Sequence, residues 1–137
     1  VLRETDEFFD GVHARLAEDP GDLAGAGSSA AEYMVSAARD DPLLQTILTL
    51  TSANGGDMSL LPLLPTRSEP LIGRATAILG AWFTAQWPSV NPADAPLMVE
   101  SVVRLGLSHI LTPTKTPDSV AADLARVACR CVGFPDP

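Results

Sequence analysis

The sequence predicts an all-α domain, and three observations carry that reading. Apolar residues recur at spacings of three and four along most of the chain. Ser, Thr, Asp, Asn and Pro stand where those periodic runs begin. No segment alternates with period two between turn signals, so no strand is expected. The 137 residues, 46% hydrophobic with net charge −8, make one domain, 1–137. Folding a chain of this length buries roughly two-thirds of its extended surface. About six helices are expected.

The first helix runs from Val1 to Glu18, with Leu2, Phe9, Val12 and Leu16 on one side and Thr5 beside them. It begins at full amphipathic strength without an initiator methionine or a capping residue, so it is expected to continue from a preceding segment. DPGDLAGAGSS then reads as a loop. Ser28 or Ser29 caps the second helix, AAEYMVSAARD, with Glu32 completing a capping box from Ser29. Asp41-Pro42 starts a third, LLQTILTLTS, apolar nearly all round and therefore expected at the centre. MSLLPLLPTR carries Pro62 and Pro65 and allows at most one broken turn. Ser68 caps a fourth helix, EPLIGRATAILGAWFTAQW, stopped by Pro88. Asp94 caps a fifth, with Pro96 in its first turn. Thr116-Pro117-Asp118 starts the sixth, VAADLARVACRCV, and Gly133 ends it.

Composition removes several classes of function. Nine basic against seventeen acidic side chains cannot make the positive footprint that nucleic acid requires, so the chain is a poor DNA binder by itself. No apolar run approaches the ~20 residues of a membrane span, and VLRETDEFF is no secretory signal. A cytoplasmic protein without membrane partners is expected. Cys129 and Cys131 are too few for a disulfide framework and, two apart on a helix, point in different directions; they read as small core groups. His13 and His109 have no metal-ligand spacing. GAGSS lacks the lysine and preceding strand of a phosphate loop, and no serine sits in a nucleophile elbow. No enzyme, cofactor or metal is expected.

The fifth helix is unusual. On a wheel of about 100° per residue with Glu100 at the origin, Arg104 falls at about 40°, Ser108 at about 80° and Ser101 at about 100°. Every clearly polar group except His109 shares that stripe, and the remaining arc is Leu, Met, Val, Ile and Gly. One domain core normally covers a smaller arc, so the helix is either wholly internal or covered on one side by another molecule. TPTK joins it to the sixth helix, which makes the two an antiparallel hairpin. The second alternative makes the hairpin half of a four-helix bundle completed by a second copy, a homodimer through Val99, Val103, Gly106, Leu107, Ile110, Leu124, Val127 and Ala128.

The stretch VVRLGLSHILTPTKTPDSVAADLARVA resembles the penultimate helix, loop and last helix of TetR-family transcription regulators, and ETDEFFDGVHARL resembles the helix that follows their DNA-binding head. The resemblance implies the C-terminal effector-binding and dimerisation domain of such a regulator, a repressor. It implies a small apolar or amphipathic effector inside the domain, and operator DNA contacted only through an N-terminal helix-turn-helix absent from this sequence. The alternative is a free-standing helical binding or scaffold module without DNA function.

The candidate effector residues are Phe9, Tyr33, Met34, Trp82, Phe83 and Gln86, with Phe8 and Trp87 nearby, since aromatic walls with few polar groups suit an apolar ligand. Each reads equally as core. Trp82 shares a stripe with Leu71, Ala75, Ile78 and Leu79 and so points inward. Arg74 is more simply an ion-pair partner or a solvated tip than an anion site. Glu100 and Arg104, four apart, are spaced to pair along the helix.

Overall fold

The structure, a computed structural model, describes residues 2–42, 45 and 64–137, with the side chains of 6–42, 45 and 72–137. Five helices are seen among them: α1 (Leu2–Glu18), α2 (Leu23–Asp40), α3 (Leu64–Gln86), α4 (Asp94–Leu111) and α5 (Pro117–Cys131). No described residue is in a strand. The predicted third helix lies outside the described residues except at its start. There the Gln45 N–H donates to the Asp41 carbonyl at 2.9 Å, a helical bond across Pro42.

The first helix behaves as its pattern requires: Phe9, Val12 and Leu16 are all buried. α2 does not begin at Ser28 or Ser29, as the capping box suggested. Asp22 is the cap, extended at φ −114 and ψ 98, and its carboxylate accepts the Gly25 N–H at 3.0 Å. Burial of Leu23 and Ala26 then draws the preceding turn into the helix, which outweighs the helix-weakening glycines. Gly25 lies where a Cβ would overlap the Asp22 carboxylate, so the residue that looks like loop chemistry belongs to a tight cap. Ser29 instead donates to the Glu18 carboxylate at 3.3 Å and accepts from Arg15 at 3.4 Å.

α3 starts at Leu64, four residues before Ser68, with Pro65 in its first turn where a missing N–H costs nothing. α4 starts at Asp94 after Ala93 rather than after Asp94. The Asn91 side chain accepts the Ala93 N–H at 2.9 Å, so asparagine fixes the approach and Pro96 still falls in the first turn. α5 begins as predicted, with Thr116 extended and Pro117 at the first position. It ends in a Schellman motif: Gly133 is left-handed at φ 77, its N–H donates to the Arg130 carbonyl, and the Phe134 N–H donates to Cys129 at 2.8 Å.

α2 is the hub of the domain and packs on α1, α4 and above all α5. Its buried face is built largely from Ala26, Ala30, Ala31 and Ala38, which lets neighbours come close. α4 packs on α3 and α5, the latter as the expected antiparallel hairpin. No helix among the described residues is long and apolar enough to cross a membrane.

Candidate ligand cavity

Between these helices lies a cavity of about 150 Å³. α1 contributes Phe8, Phe9 and Leu16 to its wall; α2 contributes a row from Leu23 through Ala30 and Val35 to Ala38. α3 adds Ile72, Ala75, Leu79, Trp82 and Phe83, and the hairpin adds Met98, Val99 and residues beyond. Leu23 and Ala38 are fifteen residues apart on one helix, about 22 Å at 1.5 Å per residue. The cavity is thus a slot whose described wall runs along most of α2.

The chemistry of the wall is uniform. None of the described lining residues is charged, and only Trp82 carries a side-chain N–H. Charge stays at the periphery. Arg74 pairs with Asp6 at 2.7 Å, as an exposed α3–α1 bridge, and its guanidinium sits 4.6 Å from the Phe9 ring centroid. Glu100 and Arg104 pair at 3.0 Å on the outer face of α4. Lys115 bonds Asp123 and holds its carboxyl below the usual carboxylate range. Among the described residues no three His, Cys, Asp or Glu side chains gather into a metal site.

The structure sorts the sequence-predicted residues. Phe9, Met34, Trp82 and Phe83 line the cavity together. Tyr33 and Gln86 do not: Tyr33 lies over Gly11 on α1 and stacks on Phe8 at 5.9 Å, and Gln86 ends α3 away from the wall. The residues assigned to a shared surface also meet the cavity. Val99, Val103, Gly106, Leu107, Ile110, Leu124 and Ala128 all line the cavity; of that set only Val127 lies off it. Gly106 is buried within its own chain, 3.6 Å from Leu124 Cδ1 as measured to an added Cβ. The excess apolar arc of α4 faces an internal void. What it leaves outside is Leu97, 60% exposed, and Leu105, 41% exposed. The alanine row of α2 also belongs to the wall; its spacing of three and four was visible, but alanine carries too little hydrophobic signal to mark a pocket.

His109 is half-buried, and its role is carried by its backbone. Arg39, in the last turn of α2, donates through Nη2 to the His109 carbonyl at 3.1 Å and through Nη1 to the Lys115 carbonyl at 2.9 Å. The guanidinium thus ties the end of α4 and the hairpin loop to α2, along the far end of the slot. Cys129 is buried and unpaired, and burial pushes its thiol up from the ordinary value.

Comparison with known proteins places this architecture. The family model described as "Bacterial Tetracyclin repressor, C-terminal domain" matches residues 22–130. The chain is 35% identical over 127 residues to the HTH-type transcriptional regulator AlkX of Mycobacterium tuberculosis. That match covers 93% of the chain and 58% of the relative, so the chain spans a little over half of that protein's length. It also resembles the crystal structure of the TetR family repressor AlkX from a Dietzia strain, implicated in biodegradation of n-alkanes. The TM-score is 0.68 at 27% identity, over 96% of this chain and 69% of that one.

Proposed function

The chain belongs to the family of bacterial tetracycline-repressor C-terminal domains, and from that premise we propose that it is the effector-sensing, dimer-forming part of a cytoplasmic transcriptional repressor. The effector is a neutral, unbranched hydrocarbon chain held in the slot between α1, α2, α3 and α4. The observation that carries this reading is the wall itself: elongated along α2, apolar, and without a charged group among its described residues. The implication of the Dietzia protein in n-alkane biodegradation agrees with that chemistry.

Operator DNA is contacted only through a helix-turn-helix segment outside this chain, which agrees with the mycobacterial relative being an HTH-type regulator and with the net charge of −8. α1 carries the signal. Its aromatic residues Phe8 and Phe9 form part of the wall, so an occupied slot and an empty one hold α1 differently. The effector acts by binding those two states unequally. The second copy pairs through the outer face of α4, where Leu97, Ser101, Leu105 and Ser108 fall in one stripe, and through Val127 of α5.

Melting curves with 1-dodecanol and with the compact cage alcohol 1-adamantanol test the reading. A saturable rise in Tm with the first and none with the second is expected, since a ligand that binds only the folded state stabilises it. Equal behaviour, or no rise with either, contradicts it.

A further inference from the structure

We infer that the segment after α5 sets how long a chain the slot accepts, with Phe134 holding Phe83 in place as its end wall. This rests on reading the slot as a binding site for an unbranched apolar chain.

The cavity has a second space beside it, and the two share Leu23 as a wall residue. Leu23 and Phe83 both line the cavity. On the other side of that wall is a separate cleft of about 420 Å³, between the α1–α2 turn and the end of the chain. Leu23 lines both spaces, and Trp87, Cys129 and Phe134 line only the cleft. Among the described residues Leu23 alone lines both spaces, and Phe83 is backed on the cleft side by Trp87 and Phe134.

Phe83 is the wall residue that aromatic neighbours hold. It is 1% exposed, and its ring is 5.1 Å from Trp87 and 6.4 Å from Phe134, centroid to centroid. Phe134 in turn sits edge-on to Trp87 at 5.5 Å. The two outer rings occupy the space into which Phe83 would have to move. Phe134 itself is fixed twice: by the Schellman bond to Cys129, and by Asp136, whose carboxylate accepts from Arg130 Nε at 3.0 Å and Nη2 at 2.8 Å. Asp136 also lies 3.7 Å from Arg126. Phe134 never touches the ligand; it is a positioning residue that decides where the ligand must stop.

While a chain fits, each added methylene removes more apolar surface from water and strengthens binding about fourfold, at ~0.8 kcal/mol per group. At the length where the chain meets Phe83, the gain ceases. The test is the Tm shift produced by straight-chain 1-alkanols from hexanol to octadecanol, each measured against the same protein without ligand. Wild type is expected to show a rising limb that ends at a definite chain length. Phe134→Ala is expected to extend that limb by one or more methylenes, because Phe83 can then swing into the cleft. Asp136→Asn, on the surface and away from the core, is expected to blur the limit by freeing the segment that carries Phe134, and Phe134→Leu to shift it less than alanine. A limit at the same length in the folded variants overturns the inference while leaving the slot as a binding site. No alkanol shift in the wild type removes the slot as a binding site, and the inference with it.

Discussion

At the level of single residues, Tyr33 of α2 packs directly over Gly11 of α1. A Cβ at Gly11 would overlap the Tyr33 hydroxyl and ring, and Tyr33 is held by stacking on Phe8 and by Arg15, 5.7 Å from its centroid. Glycine inside a helix is otherwise unfavourable by about 0.5–1 kcal/mol relative to alanine. Gly11→Ala is therefore expected to destabilise the wild type by about 1–2 kcal/mol through overpacking. In a Tyr33→Leu background the same change should stabilise by about 0.5–1 kcal/mol. Urea denaturation of the four proteins of this cycle gives the coupling; additive effects would mean that Tyr33 does not dictate the glycine. Gly11 gave no sign of this in the sequence, where it reads as a weak point in a helix, because its reason lies on another element.

At the level of elements, boundaries were legible where a local cap decides them and obscure where burial does. Thr116-Pro117 and Gly133 announce α5, because both ends are set by backbone geometry that only a few residues satisfy. The start of α2 was misplaced because Ser29 and Glu32 form a plausible box, and no local rule weighs it against the burial of Leu23 and Ala26. The link between α2 and the hairpin loop was invisible, since Arg39 lies seventy or more residues from the carbonyls it holds. A charged donor serving two backbone acceptors is worth about 1–3 kcal/mol when its partners lose it. Arg39→Met is expected to lower stability by that amount. Arg39→Lys should recover less than half, since a single ammonium cannot reproduce the planar fork. Thermal unfolding of the two variants measures both; full stability in Arg39→Met would show that packing alone seats the loop.

At the level of the whole molecule, the sequence made one quantity plain: α4 carries more apolar surface than a surface helix needs. It could not show what lies opposite. A helical wheel gives the angle of Val99, Val103 or Gly106 and says nothing of whether that angle meets a neighbour, a void or a second copy. The void is collective, made by α1, α2, α3 and the hairpin together, so no single pattern encodes it; Trp82 and Phe83 were recognisable because aromatic bulk at inward positions is unusual. For pairing, the outer stripe of α4 is what remains. Leu97→Asp with Leu105→Asp is expected to turn a dimer into monomers in sedimentation velocity while leaving the helical circular dichroism intact. A dimer that survives both changes places the shared surface elsewhere.

The central claim is that the slot is filled by an unbranched hydrocarbon chain. The protein's two tryptophans allow a direct test: Trp82 lines the slot, and Trp87 stands behind Phe83 outside it. A bromine atom quenches indole fluorescence only at close range, so 1-bromododecane reports which indole it approaches. In Trp87→Phe, where only Trp82 emits, strong and saturable quenching is predicted. In Trp82→Phe, where only Trp87 emits, quenching should be weak. Equal quenching of the two, or none of Trp82, would contradict the account.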